Sequence, residues 1–564
     1  METTDKRVCR MVAALLAAHG VERAVLSPGS RNVPLLVAMT HEPSIAAEVV
    51  VDERCAAFMA LGMAAVSGRP VALVCTSGTA LLNYAPAVAE AYYRQIPLIV
   101  VSADRPRRWI DQDDSQTIRQ PGALSEIVKA SYDLCAEADT ADDEWYANRM
   151  INDAMINATT GCRGPVHINV QINEPLGRMV PVVDGRERVI TSVSAQSVPD
   201  ADSMEALSGM VTASEKVLVV AGFHDPDTRL AAALGRLSLL PNVVVMTESI
   251  ANLQGERFIG RIDTALGGLT PDELQRLAPD LVITLGGALV SRFVKQFIRE
   301  HRPAAHWHVG FTRTTVDCFK ALTLRVEADP GAFFDRLSMI TANATVSSDY
   351  AEVWHRIYAA AVSRRDAFAA SAPWSDLRAF SIIMNNLPDG CALQLSNGTP
   401  IRYGQLFAGA SKGIRRVDCN RGTSGIDGST STAVGASLSY SAGATVFVSG
   451  DTSAQYDMGA LAVRNIPARF KMIVMCNGGG GIFRFIGSTS GLPEREALFG
   501  EPVNFPVKQI AGAFGFRVFA AGSADDLEQV LPLFMAESEQ PALLAVENLP
   551  EQESADLLKQ YFTI

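Results

Sequence analysis

Two short apolar runs in the last quarter of this 564-residue chain each end on residues that offer oxygen ligands. Val446-Phe447-Val448-Ser449-Gly450 delivers Asp451, and Lys471-Met472-Ile473-Val474-Met475-Cys476 delivers Asn477, followed by Gly478 to Gly481. If both runs are parallel strands, their carboxyl ends lie side by side, where open α/β sheets bind ligands. An Asp carboxylate, an Asn amide oxygen and a glycine carbonyl make a hard-oxygen set suited to Mg²⁺. The glycines let backbone N–H groups approach a phosphate. The pattern predicts a place that holds a metal and a diphosphate together.

A second group of candidates lies near the amino end. Asp52-Glu53-Arg54 follows an apolar run and opens a helix, where an acidic first turn complements the helix dipole. Ser27-Pro28-Gly29-Ser30-Arg31-Asn32 and Ser102-Ala103-Asp104-Arg105-Pro106 each follow a strand-like run and each present an arginine. Two loops at one sheet edge that both offer a guanidinium predict an anion pocket, because that group grips a carboxylate as a bidentate fork. Cys75-Thr76-Ser77-Gly78-Thr79 lies between them and supplies hydroxyls that can cap the next helix, and the amide-rich Asp114-Ser115-Gln116-Thr117-Ile118-Arg119-Gln120 follows.

The elements that must position these residues are legible as alternating helix-like and strand-like segments. From the amino end we expect a helix over 8–18, strands over 24–26 and 46–51, a helix over 54–66, a strand over 71–75, a helix over 80–93 and a strand over 98–101. Short apolar strands alternating with helices predict a parallel, doubly wound sheet. The pattern breaks at 183–200, a linker, and resumes with strands over 216–220, 243–246, 281–285 and 305–309. After a polar stretch at 345–352, a helix over 350–370 leads to strands over 392–396, 445–449, 471–475 and 542–546. The fold class is therefore α/β, with three doubly wound parallel-sheet domains at 1–183, 200–345 and 350–564, one domain type used three times.

A chain of this length exceeds one core. Hydrophobic content of 48% with 20% charged residues marks a globular protein, and a net charge of −12 argues against nucleic acid or an anionic membrane as the main partner. No apolar run approaches the roughly 20 residues of a membrane span, and the amino terminus lacks a signal-peptide layout. Nine scattered cysteines without a CxxC pair suggest a reducing, cytoplasmic setting and neither a disulfide framework nor zinc. Cys55, Cys75 and Cys476 are expected to be buried small side chains.

The motifs taken in order carry a resemblance. Gly450-Asp451, then 24 residues between Thr452 and Asn477, resembles the thiamine-diphosphate signature. SPGSRN, VDERCAAFMALG, CTSGTA, ADRP, SQTIRQPG and, later, Asn420-Arg421-Gly422-Thr423-Ser424-Gly425-Ile426-Asp427-Gly428 are similar to the 2-succinyl-5-enolpyruvyl-6-hydroxy-3-cyclohexene-1-carboxylate synthases of menaquinone biosynthesis. The resemblance covers essentially the whole chain and is weakest in the middle domain. It implies a thiamine-diphosphate-dependent transferase that decarboxylates 2-oxoglutarate and adds the succinyl carbanion equivalent to isochorismate. It further implies that Glu53 activates the cofactor, and that Asp451, Asn477 and the Gly479 carbonyl bind Mg²⁺ or Mn²⁺. Ile426, Ser453, Gly398, Thr399, Ile482 and Phe483 are implied to line the cofactor, and Arg31, Arg105, Gln116, Arg292, Arg402 and Arg421 to bind substrate. In this superfamily one active site takes domains from two subunits, which implies a dimer or a dimer of dimers.

The chain departs from that family at three places. Thr452 stands where the signature usually has Gly, Gly398 where the family commonly has Ser, and Gly478 to Gly481 where relatives often carry asparagines and a Gln. Ser396 or Thr399 is the available substitute for the missing hydroxyl. Other thiamine-diphosphate enzymes are the nearest rivals. None of the eight histidines is adjacent to another, unlike the His-His pair of several decarboxylases. Leu285-Gly286-Gly287 reads as a turn after a strand and not as the fingerprint a dinucleotide-binding oxidoreductase or an FAD site requires. The joint presence of Glu53, Asp451 and Asn477 argues against a non-catalytic binding module.

Overall fold

The computed structural model describes residues 2–182, 187–195, 197–409, 413–484, 486–499 and 505–564. Part of the expected linker, 183–186 and Gln196, lies outside the described residues, and its described part, 187–195 and 197–200, forms neither helix nor strand. The chain divides into two compact units. The first comprises Met1–Ser194, Gly422–Ser441 and Tyr456–Pro467; the second comprises Ala195–Arg421, Ala442–Gln455 and Ala468–Ile564.

The first unit is built on a six-stranded sheet, in spatial order Ala46–Val49, Arg23–Leu26, Val71–Cys75, Leu98–Asp104, Val166–Gln171 and Ser131–Cys135. Every pairing in it is parallel. Val71–Cys75 and Leu98–Asp104 are buried along their whole length, as strands covered on both faces must be. A small antiparallel pair, Glu2–Thr4 with Met179–Pro181, lies apart from this sheet. Helix Glu53–Ser67 is almost entirely apolar and is capped by Asp52, whose side chain accepts from Cys55 N. It lies backbone to backbone on helix Ser429–Ser439: a Cβ at Gly62 would fall 2.0 Å from the Thr432 carbonyl oxygen, and one at Gly435 2.0 Å from that of Met59.

The second unit holds two further parallel sheets. One runs Phe258–Ile259, Val243–Thr247, Val217–Ala221, Leu281–Leu285, Ala305–Val309, Leu324–Val326. The other runs Arg416–Asp418, Ala392–Leu395, Thr445–Gly450, Phe470–Met475, Ala542–Val546, Arg517–Ala521. The fold class is thus α/β with three parallel six-stranded sheets, but not one topology three times. Numbered within each sheet, the first and third run 2-1-3-4-6-5, whereas the middle runs 3-2-1-4-5-6.

That middle order is the one dinucleotide folds use, with the crevice at the switch point. Here the switch point is closed by backbone. Gly222 N donates to Leu285 O at 3.0 Å, Gly287 N donates to Phe223 O at 2.7 Å, and a Cβ on Gly222 would fall 2.2 Å from the Gly287 oxygen. Two smaller expectations are also corrected. The single helix over 80–93 is two, Thr79–Asn83 and Ala85–Arg94, because Pro86 enters at a first-turn position and restarts the helix. Cys55 is buried but not purely among apolar atoms, since its Sγ donates to Asp457 Oδ1 at 3.6 Å. Among the described residues no helix is long and apolar enough to cross a membrane.

Candidate active site

In the third sheet, strands Thr445–Gly450 and Phe470–Met475 are adjacent and parallel, with Gly450 opposite Met475. Asp451 and Asn477 therefore leave the same sheet edge within one residue of each other. Asp451 is buried, and its two carboxylate oxygens accept from Thr452 N and Gly478 N, each at 2.8 Å. Burial raises its carboxyl to about 6, against those two backbone donors and with a further upward push from Asp376 and Glu551. Asn477 is buried too; its Oδ1 accepts from Gly479 N at 3.3 Å, and its Nδ2 donates to Asp376 Oδ1 at 3.2 Å. That second bond fixes which way the amide faces. Gly478, Gly479 and Gly480 take φ of 86°, 84° and 68°, a run of left-handed backbone that glycine adopts without strain and that folds the Gly478 and Gly479 N–H groups back onto Asp451 and Asn477. Ser453 is buried in the short helix Asp451–Tyr456. Ile482 and Phe483 follow in the turn Gly481–Arg484, half-buried, with the Phe483 ring 4.7 Å from that of Phe499.

Gly398 precedes helix Thr399–Leu406 at φ 97° and ψ −129°, a backbone that suits glycine and strains a side chain. Of the two hydroxyls that stand near it, Ser396 is fully buried and donates to the Asn397 carbonyl at 3.3 Å, whereas Thr399 is half-buried at the helix start.

The same unit gathers three of the predicted arginines. Burial, then the neighbouring charges of Arg292 and Arg421, lower Arg402 to about 10, and Asp263 and Glu248 work in the opposite direction. The Nε atoms of Arg402 and Arg421 are buried and, among the described residues, hydrogen-bond to nothing. Arg421 donates to Asn397 Oδ1 at 3.1 Å; Arg292 is exposed at the start of helix Arg292–Glu300. Buried donors left unpaired cost about 1–3 kcal/mol each, which a bound anion would recover.

The remaining predicted residues belong to the first unit. Glu53 is the first residue of its helix, half-buried, with Asn83 Nδ2 at 3.5 Å. Ile426 is half-buried ahead of Gly428, where an added Cβ would fall 2.1 Å from the Phe58 ring. Arg31 is buried and donates to the Ile172 carbonyl and Glu174 Oε1, both at 3.1 Å. Arg105 pairs with Asp114 at 2.8 Å and donates to the Ser115 carbonyl at 2.9 Å. Gln116, at φ 61°, is exposed beside Gly78.

A buried amide network ties these loops together. Asn169 Nδ2 donates to Asp104 Oδ2 and Asp133 Oδ1, so its Oδ1 faces Gln120 Nε2 and Ser102 Oγ, each at 2.8 Å. Gln120 Oε1 accepts from Gly78 N at 2.8 Å. Because Ser102 spends its proton on Asn169, it accepts from His167 Nε2–H at 2.7 Å, which assigns the tautomer. A surface cavity of about 540 Å³ beside Arg107 and Asp133 contains none of the predicted residues.

Comparison with known proteins agrees with the geometry. The family described as thiamine pyrophosphate enzyme, N-terminal TPP binding domain, matches residues 6–123. The 2-succinyl-5-enolpyruvyl-6-hydroxy-3-cyclohexene-1-carboxylate synthase of Porphyromonas gingivalis is 43% identical, across 99% of this chain and 97% of its own length. The chain belongs to that synthase family. The synthases of Flavobacterium johnsoniae and Bacteroides thetaiotaomicron are 36% and 35% identical, covering 98% and 99% of this chain and the same shares of their own. The protein is accordingly a thiamine-diphosphate-dependent transferase.

The residues present fit the cofactor that membership in this synthase family implies. The buried Asp451 carboxylate, the oriented Asn477 amide and the left-handed glycines are what a hard cation bridged to a diphosphate requires. No group of three or more His, Cys, Asp or Glu able to hold a metal exists among the described residues. Asp376 escaped the sequence reading because its partner is about 100 residues away, and nothing local marks it.

Proposed function

We propose that this protein decarboxylates 2-oxoglutarate and adds the resulting succinyl unit to isochorismate, giving 2-succinyl-5-enolpyruvyl-6-hydroxy-3-cyclohexene-1-carboxylate for menaquinone biosynthesis. The observation that carries the reading is the pair of buried, unpartnered guanidinium Nε groups of Arg402 and Arg421, in a chain aligned end to end with relatives of that name. Both substrates are multiply anionic at neutral pH, and Arg402 at about 10 stays charged there. Arg402, Arg421 and Arg292 in the second unit, and Arg31, Arg105 and Gln116 in the first, would offer guanidinium and amide donors to substrate carboxylates and hydroxyls and so limit their rotational freedom.

Thiamine diphosphate supplies, when bound, the nucleophilic carbon and the electron sink. Asp451, Asn477 and the Gly479 carbonyl would hold Mg²⁺ or Mn²⁺, with Ser453, Gly398 and Thr399 beside the diphosphate. Glu53 would hold a proton towards the aminopyrimidine ring, and Ile426, Ile482 and Phe483 would exclude water. Division into domains 1–183, 200–345 and 350–564, assembly as a dimer or a dimer of dimers, and a cytoplasmic setting complete the reading.

Supplying 2-oxoglutarate labelled at its C1 carboxylate tests it: labelled CO₂ should appear at one equivalent per isochorismate consumed. Release of CO₂ at an unchanged rate whether or not isochorismate is present, with none consumed, would make the protein a plain 2-oxo acid decarboxylase.

A further inference from the structure

The arginine pocket is backed by two carboxylates that the functional reading does not use. Glu248 follows strand Val243–Thr247 and is 2% exposed. Its Oε1 accepts from Val290 N at 2.8 Å and Ser291 N at 2.6 Å, and its Oε2 accepts from Val290 N at 2.6 Å. Asp263, 8% exposed on helix Ile262–Leu266, accepts from Ser291 Oγ. That same Oγ caps helix Arg292–Glu300 by accepting from Val294 N at 3.1 Å. Lys295 Nζ holds the loop from the other side through the Leu289 carbonyl at 2.8 Å. The turn 289–291, which delivers Arg292, is thus gripped from three directions.

A neutral amide could hold such a turn, so the choice of two buried acids needs a further cause. Among the described residues neither makes an ion pair, and burial pushes both carboxyls up, Glu248 to about 7. The positive charges that act on them are Arg421 on Glu248, Arg402 and Lys295 on Asp263, and Glu248 acts in turn on Arg402. Apart from Lys295, these are the arginines assigned to substrate. Three like charges crowded with two unpaired donors would repel one another unless a counter-charge stood behind them.

We propose that Glu248, aided by Asp263, is a positioning residue for the anion pocket: it fixes the backbone ahead of Arg292 and supplies the counter-charge that keeps Arg402 and Arg421 aimed at a substrate carboxylate. The proposal rests on the reading of those arginines as substrate donors. It concerns binding and not chemistry, so it belongs in KM.

The test compares Glu248→Ala and Glu248→Gln with wild type in the cofactor-loaded enzyme, measuring kcat, KM for 2-oxoglutarate and isochorismate, and thiamine-diphosphate Kd. Glu248→Ala should raise KM for at least one substrate by about tenfold or more, with kcat within about threefold. Cofactor Kd should stay within about twofold, and Glu248→Gln, which keeps an acceptor but not the charge, should fall between. Unchanged KM for both substrates overturns the proposal, as does a rise in cofactor Kd that parallels the rise in KM, the mark of a merely structural role. If Glu248→Ala does not fold, Glu248→Gln decides alone: a KM rise of about threefold or more supports it and an unchanged KM overturns it. A wild-type enzyme that turns over neither substrate sinks the functional reading and this proposal together, whereas an active wild type with indifferent variants sinks only the proposal.

Discussion

Asp451 and Asn477 sit where two adjacent strands end, so their roles separate cleanly from those of the arginines. Asp451→Ala should abolish retention of thiamine diphosphate in calorimetry while leaving the fold intact; unchanged cofactor affinity would disprove the metal assignment. Glu53→Gln should keep fold and cofactor and lose about 100-fold or more in turnover, and wild-type-like kcat would remove Glu53 from the mechanism. Arg402→Ala should raise substrate KM by about 10- to 100-fold without releasing the cofactor. Gly398→Ser, which restores the family's hydroxyl, places a side chain at φ 97° and should destabilise the protein by about 1–3 kcal/mol in denaturant melts. The chemistry-bearing residues were legible because each lies in a local pattern: a strand end, a turn, a helix start. Glu248, Asp376 and Asn169 were not, because each bonds to residues far away in sequence that only the folded chain brings beside it.

At the scale of elements, the apolar central strands were legible from their composition, and their observed bounds differ from expectation by at most three residues, the largest gap being at Leu98–Asp104. The edge strands Ser131–Cys135, Leu324–Val326 and Arg517–Ala521 interrupt their apolar residues with charged ones, as edges do, and so resemble loops; Arg416–Asp418 does the same with two charges that are buried and paired with each other. The helix pair Glu53–Ser67 and Ser429–Ser439 makes a sharper point, because its contact is set by what Gly62 and Gly435 lack. Gly62→Val should destabilise the first unit by about 3 kcal/mol, since the neighbour at 2.0 Å is a carbonyl that cannot rotate away. His167 joins strands Leu98–Asp104, Val166–Gln171 and Ser131–Cys135 through Ser102 and Ser131, and burial lowers it to about 4. A depressed histidine stabilises the fold fully above about 6.5 and loses that contribution as pH falls towards 4. The stability difference between wild type and His167→Gln, about 1–3 kcal/mol at pH 7.5, should therefore shrink on acidification. A difference that is flat with pH would contradict a buried, neutral His167.

Across the whole molecule, three sheets of one class serve different ends. The first and third share a strand order and carry the predicted cofactor residues. The middle sheet has the order of dinucleotide folds, but its switch point is occupied by its own backbone at Gly222 and Gly287. The chain should accordingly show no FAD absorbance and no affinity for NAD or FAD in calorimetry. Its acidic excess, −12, coexists with an arginine cluster because a few nearby cations outweigh distant, screened surface charge. The measurement closest to the central claim follows isochorismate absorbance with thiamine diphosphate, Mg²⁺ and 2-oxoglutarate present, then with each withheld in turn. Isochorismate loss that requires all three is the predicted result; isochorismate untouched by an enzyme that has bound its cofactor would contradict the account.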